Sequence, residues 1–344
     1  MLFLKKYNPM VDKIELLDTA FLQNNKDKLR EIDHWLKVLN WVNGWHYDLD
    51  IIWVLNNIER MGLKPGATII DAGAGLGITQ FILASRGYNV ISLDFTERQI
   101  PKFAKGIFNI EKIDTDLGDY KHEYMDFMSH GQKKILTVAR KNKFLSKLRK
   151  VINLRQLSHH LAFIFYRFKL RFSNKVNIYY YFERNTDHNN FGKITFLRGI
   201  FNNIPLESDT ADVLISVSAF EHNTYKDMPG SVIEFTRVLK KGAPMFITTS
   251  ASEKEDWYFE PAKSWNFTRE TLSDWFSIPE AHTNFDFKSA LERIKASKTL
   301  KNRIPLFYKF NGNNGLPFAK LEDVKYVPVG IIKIKNSAHY FRHE

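Results

Sequence analysis

The sequence predicts an α/β fold with a mostly parallel sheet, an N-terminal helical cap and a large basic helical insertion between the second and third strands. Three observations carry that reading. Short apolar runs at 67–72, 89–95, 194–199, 212–218 and 244–250 are separated by stretches of helical periodicity. The first run leads into "DAGAGLGITQ" (71–80), whose alternate glycines Gly73, Gly75 and Gly77 allow a close backbone approach. The alternation then lapses over 101–190 before it resumes.

Residues 1–62 read as the cap. "IELLDTAFL" has apolar residues at helical spacing, and "LREIDHWLKVLNWV" repeats it through Leu29, Ile32, Leu36, Leu39 and Val42 until Gly44 breaks the pattern. "YDLDIIWVLNNIERMGL" resumes a helix, with Asp48 and Asp50 suiting the dipole of its first turn and Gly62 its C-terminal stop. Four of the seven tryptophans lie between Trp35 and Trp53, where they are expected to pack the cap onto the sheet.

Residues 63–100 and 191–344 form the predicted core. "ATIIDA", "NVISLDF", "ITFLRG", "DVLISVS" and "PMFITTS" are its strands, and "GITQFILASRG" and "PGSVIEFTRVLKKG" its helices, the second closed by a glycine. Strands joined through helices imply right-handed crossovers and a ligand at the carboxyl ends of the strands. "KSWNFTRETLSDWF" (263–276) reads as a loop and helix with Thr268 as N-cap. "VKYVPVGIIKIK" (324–335) is β-rich, and Pro328 points to an edge position or a bulge.

The insertion, 101–190, carries the protein's basic character. Residues 132–175 hold 13 Lys or Arg and no acid, whereas the remainder holds 37 basic and 38 acidic residues, so the +12 net charge belongs to one segment. Within it, "NLRQLSHHLAFIFYRFKLRF" (153–172) places Leu154, Leu157, Leu161, Ile164, Phe165, Phe168 and Phe172 on one helical face. Such a helix suits a membrane surface, or packs inward and leaves a solvated basic face.

Composition excludes several chemistries. With no cysteine there is no disulfide, no cysteine-ligated metal and no thiol nucleophile, which removes cytosine C5 methylation. The histidines, including His159, His160, His339 and His343, form no metal-ligand pattern. The apolar run Leu161–Tyr166 falls far short of the roughly 20 residues of a spanning helix, and "MLFLKK" is too short for a signal peptide, so a cytoplasmic protein is expected.

The loop at 71–80 narrows the ligand. A dinucleotide fingerprint needs Gly or Ala where Ile78 stands, and a Walker loop needs a Gly-Lys-Ser/Thr that is missing. Asp94 ends the second strand, 21 residues after Gly73, where a carboxylate can accept hydrogen bonds from both hydroxyls of a ribose. Asp71, just before the glycines, can hold an ammonium group. Together they suit a ligand with an amino-acid end and a nucleoside end.

"IIDAGAGLGITQ…VISLDF", "DVLISVSAFEHN" and "EFTRVLKKGAPMFITTS" resemble, in this order, the motifs of class I S-adenosylmethionine-dependent methyltransferases, in the small-molecule branch that includes ubiquinone and menaquinone methyltransferases. "GWHYDLDIIWVL" also resembles methyltransferases of bacterial surface-polysaccharide pathways. The resemblance implies a Rossmann-like sheet and S-adenosylmethionine as cofactor. It places the methionine part at Gly73, Gly75 and Gly77 with Asp71, and the ribose at Asp94. Where such proteins often carry an acid for the adenine, this chain has Ile200, leaving Phe201, Asn202 or the backbone for that contact. Glu221 is expected to shape the cofactor pocket. His222 is a candidate general base or a structural histidine. His46 is a second catalytic candidate and Tyr47 a cofactor contact, both able to reach the substrate, or the two pack.

The function this implies is O-methylation of a small molecule, glycan or lipid-linked intermediate. The basic insertion would then meet an anionic inner membrane face, where each Lys or Arg adds about 1 kcal/mol. A ribose-directed RNA methyltransferase using the same segment on phosphates, and a non-catalytic cofactor-binding partner subunit, are the alternatives. An amino-directed nucleic-acid enzyme would carry an Asn/Asp-Pro-Pro-Tyr/Phe motif where this chain has "SAFEHN".

Overall fold

Six strands run parallel and make the body of the sheet: β2 (Thr68–Ala72), β3 (Asn89–Asp94), β4 (Ile110–Ile113), β5 (Ile194–Arg198), β6 (Val213–Val217) and β7 (Pro244–Ala251). Their spatial order is β7-β6-β2-β3-β5-β4. Beyond β7 the sheet continues through β11 (Val327–Ile334), β1 (Lys13–Leu16) and β10 (Thr283–Asn284). The computed structural model describes residues 10–39, 43–75, 77–98, 100, 104–118, 120, 190–260, 262–303 and 321–335. The basic segment 132–175, with its amphipathic stretch 153–172, lies outside them, as do His159, His160, His339 and His343.

The parallel strands are apolar because they are covered on both faces. Ile69, Ile70, Val213, Leu214, Ile215, Phe246 and Ile247 have no exposed surface. On the cap side, α2 (Lys26–Leu39) packs on α3 (Tyr47–Met61) and on α4 (Thr79–Ser85), and α3 crosses β6, β7 and β11. Trp53 packs the cap onto the sheet, Trp35 packs it onto α4, and Trp41 lies outside the described residues. Trp35 stacks with Phe81 at 6.0 Å, and Trp53 meets Phe246 edge-on at 6.2 Å. Gly330 of β11 makes room for Trp53, since a Cβ there would come within 2.5 Å of the indole ring.

Four expectations need correction. "IELLDTAFL" is not one helix: Lys13–Leu16 form β1, antiparallel to β11, and only Ala20–Asn24 are helical (α1). Ile14 and Leu16 alternate as well as they fit a helix, and pairing with Ile331 and Val329 decides the outcome. Pro328 stands between two strands rather than at an edge. Its carbonyl accepts from Leu17 N–H at 2.8 Å, one residue past the end of β1, so its missing N–H points to where the neighbour strand is ending. Helix α5 (Met228–Val238) ends at an extended Leu239, not at Gly242. Finally, the predicted insertion opens with β4, which extends the sheet beside β5.

After β7 come the hairpin β8 (Trp257–Phe259) and β9 (Ser264–Asn266), then α6 (Arg269–Phe276), α7 (Phe287–Ala296) and α8 (Lys298–Arg303). Thr268 caps α6 as expected, its side chain accepting from Thr271 N–H at 3.3 Å. Gly62 closes α3 in the left-handed conformation. Asp48 and Asp50 stand in the first turn of α3 as expected, Asp48 buried against Arg303 at 2.6 Å and Asp50 fully buried against His46.

Candidate functional site

The chain order of the strands reverses at β2, with β3 and β5 on one side and β6 and β7 on the other. Such a reversal opens a crevice beyond the carboxyl ends of the flanking strands. The segments that border this place are the glycine loop after β2 and Ser218–His222 after β6, which touch at Gly73 and Ala219.

Two of the three glycines serve the chain's own packing. A Cβ on Gly73 (φ +77°) would come within 2.4 Å of Ala219 Cβ and 2.9 Å of Phe201 Cζ. A Cβ on Gly77 would come within 2.9 Å of the Ala74 carbonyl oxygen, to which Gly77 N–H donates at 2.8 Å. Gly75 (φ +48°) has room: its nearest neighbour is Asp94 Oδ2, 3.9 Å from the Cβ position.

Asp94 ties this loop to β3. Its Oδ2 accepts from Gly75 N–H at 2.8 Å, and its Oδ1 accepts from Thr96 N–H at 2.8 Å and Thr96 Oγ1 at 2.6 Å. A carboxylate offers about four acceptor positions, so one is left for a ligand without rearrangement.

Behind the loop sits Arg98, which sequence reasoning missed. It is buried, donates to the Gly75 carbonyl at 3.3 Å, to Ser92 Oγ at 2.5 Å and to the Leu197 carbonyl at 3.4 Å, and lies 5.0 Å from the centroid of Phe196. Its guanidinium is the positive charge acting on Asp71 and Asp94. Asp71 is 3% exposed and makes no side-chain hydrogen bond among the described residues. Burial pushes its carboxyl up to about 7, against the pull of Arg98 and with the help of Asp94.

Across the crevice, Ser218 holds a left-handed backbone (φ +49°), uncommon for a residue with a side chain. Its N–H donates to the Thr248 carbonyl and Oγ1, both at 3.1 Å, and its hydroxyl donates to Glu221 Oε1 at 2.7 Å. Tyr47 O–H donates to the Ser218 carbonyl at 3.5 Å. The start of α3 therefore reaches the segment after β6, and Tyr47 and Glu221 meet there through Ser218.

His46 precedes α3 and is buried, its Nδ1 2.6 Å from Asp50 Oδ2. Burial disfavours the imidazolium, but the charge and hydrogen bond of Asp50, with the charge of Glu221, outweigh it and raise His46 above its usual range. His222 is half-buried, and its Nδ1 lies 2.9 Å from the Lys263 carbonyl in the β8–β9 turn. A carbonyl only accepts, so Nδ1 carries the proton.

Phe201 packs edge-on against Phe235 at 5.2 Å. Asn202 is engaged elsewhere, accepting from Ser231 Oγ at 2.5 Å and Asn223 Nδ2 at 3.3 Å, and Ile200 bridges to Asn203. Among the described residues no cluster of three or more His, Asp or Glu could hold a metal, and no helix is long and apolar enough to cross a membrane.

Residues 175–247 match the family model described as a methyltransferase domain, a stretch that spans β5, β6, α5 and the start of β7. No curated protein matches the chain. Among solved structures, the YcgJ protein from Bacillus subtilis is 12% identical, with 84% of this chain and 99% of that one covered and a TM-score of 0.36. The [4+2]-cyclase SpnF is 10% identical, with 95% and 100% covered and a TM-score of 0.43. The 1,6-didemethyltoxoflavin-N1-methyltransferase of Burkholderia thailandensis, solved with 1,6-didemethyltoxoflavin and S-adenosylhomocysteine, is 9% identical, with 93% and 85% covered and a TM-score of 0.38. At these values the likenesses carry no functional inference. The match to the methyltransferase-domain model is confined to 175–247.

Proposed function

We propose that the protein transfers a methyl group from S-adenosylmethionine to a hydroxyl of a small-molecule, glycan or lipid-linked acceptor. The observation that carries this reading is Asp94, held at the carboxyl end of β3 by Gly75 N–H and beside the switch-point crevice. The residues present fit the cofactor. Asp94 has one acceptor position left for a ribose hydroxyl, and Asp71 is a buried carboxyl that an ammonium group would complete. Phe201 offers an apolar ring beside Gly73, which suits an adenine where Ile200 replaces an acid.

When bound, S-adenosylmethionine supplies a methyl carbon that bonds to the acceptor oxygen as the sulfur–carbon pair returns to sulfur, leaving S-adenosylhomocysteine. The protein's share is to align the two partners and to take a proton. His222, oriented by the Lys263 carbonyl of the β8–β9 turn, is one candidate for that proton. The basic segment 132–175 supports an acceptor carried on an anionic membrane face through its charge alone.

Calorimetric titration with S-adenosylhomocysteine tests the reading. Micromolar binding that Asp94→Ala abolishes is the expected result. No binding by the intact protein would overturn it.

A further inference from the structure

We propose that His46, held by Asp50 and backed by Glu221, accepts the proton of the acceptor hydroxyl, with Asp50 as its positioning residue. The inference rests on the methyl-transfer reading above. His46 and Asp50 are four residues apart at the start of α3, so their side chains share one face of the first turn. Both are buried, with Nδ1 2.6 Å from Oδ2. A carboxylate in that position takes the Nδ1 proton, fixes the tautomer and leaves Nε2 as the nitrogen that can accept another.

Through Tyr47 the cluster adjoins the segment that follows β6. Tyr47, next in the chain to His46, reaches the Ser218 carbonyl, and Ser218 hydrogen-bonds Glu221. The ionisable groups facing the imidazole come from three directions. Asp50 lies on α3, with Asp48 near it but paired to Arg303 at 2.6 Å. Glu221 follows β6, and Tyr326 precedes β11 with its ring edge-on at 5.9 Å. Two carboxyls thus act on one imidazole. Asp50 Oδ1 and Glu221 Oε2 are both buried without a hydrogen-bond partner. Negative charge in excess and without full hydrogen bonding is what an arriving proton relieves. His222 differs in that its orienting partner is a neutral carbonyl.

In the step, the acceptor's O–H bond breaks and its electron pair stays on the oxygen, which becomes the nucleophile. The proton bonds to the lone pair of His46 Nε2. The imidazolium is stabilised by Asp50 and Glu221, and it returns the proton to water after product leaves. A neutral His46 is required at the start, so turnover rises with pH through the titration of His46.

The test does not need the acceptor. In full-length protein labelled with ¹⁵N-histidine, the His46 ring signals are identified by their loss in His46→Gln and followed against pH. The expected result is a neutral form protonated on Nδ1, titrating above the usual histidine range, with a titration that moves downward in Asp50→Asn. An Nε2-protonated neutral form in the wild-type protein overturns the proposal even if Asp50→Asn does not fold. So does a titration that Asp50→Asn leaves in place. Calorimetry with S-adenosylhomocysteine on the same wild-type sample separates the two inferences. Failure to bind sinks the methyl-transfer reading, whereas binding with the wrong tautomer sinks only the role of His46.

Discussion

Asp94 Oδ2 accepts the backbone N–H of Gly75 at 2.8 Å, so the acid that ends β3 and the loop that follows β2 form one unit. Asp94→Asn keeps the shape of the side chain but removes its charge and one of its acceptors. Hydrogen bonds to charged groups are worth about 1.5–3 kcal/mol, which corresponds to roughly 10- to 100-fold in affinity. Binding of S-adenosylhomocysteine should weaken by that factor, measured by calorimetry, while the circular dichroism spectrum stays native. Wild-type affinity in the variant would remove Asp94 from the ligand's contacts.

The glycines of the loop should separate by phenotype. Gly73→Ala drives a Cβ into Ala219 and Phe201 at a positive φ, combining overpacking with backbone strain. A loss of about 2–4 kcal/mol in urea unfolding is expected. Gly75→Ala carries only the strain, about 1–2 kcal/mol, because its Cβ would make ordinary contacts with Asp94 Oδ2 and the Gly73 carbonyl, yet it would stand where a ligand would approach. Gly75→Ala should therefore reduce S-adenosylhomocysteine affinity more than stability. Equal stability losses in the two variants would contradict the packing seen at Gly73.

What is legible in the sequence follows from what is local. The glycine loop, Asp94 at the end of its strand, the Gly62 stop and the Thr268 cap each depend on a few neighbouring residues. β1 does not, because Ile14 and Leu16 choose between two periods only when Ile331 and Val329 are beside them. Asp50 is a mixed case. Its spacing from His46 is visible, but an acid in a first turn serves the dipole equally well until burial is known. Nothing in "FTERQI" sets Arg98 apart from a surface arginine. It is defined by Ser92, Leu197 and Gly75, which three separate elements bring around it.

Arg98→Met should therefore cost more than its place in a short loop suggests. The change preserves bulk over Phe196 but leaves Asp71 and Asp94 without their shared positive neighbour. Removing one member of a buried charge cluster costs about 3–5 kcal/mol. Urea unfolding at neutral pH should show a loss of that order, smaller in mild acid where Asp71 is protonated. A loss independent of pH would indicate that Arg98 acts only through its backbone contacts.

Asp71 gives the sharpest pH dependence. Its carboxyl titrates near 7 in the folded protein, mainly because burial disfavours its charge, and near 4 in an unfolded chain. Between about pH 4 and 7 the folded state holds the extra proton, so this group's contribution to stability falls as pH rises, by at most about 1.4 kcal/mol per unit. Asp71→Asn should remove that slope, so the variant gains on the wild type between mild acid and pH 8 in urea unfolding. Ligand binding should run the other way. An ammonium group pairs with Asp71 only when the carboxyl is ionised, so S-adenosylhomocysteine should bind more tightly as pH rises through about 7 and then level off. In Asp71→Asn this component of the pH dependence should vanish. If the wild-type protein binds equally well on both sides of pH 7, the ligand does not use Asp71, and the carboxyl is a stability cost without a partner.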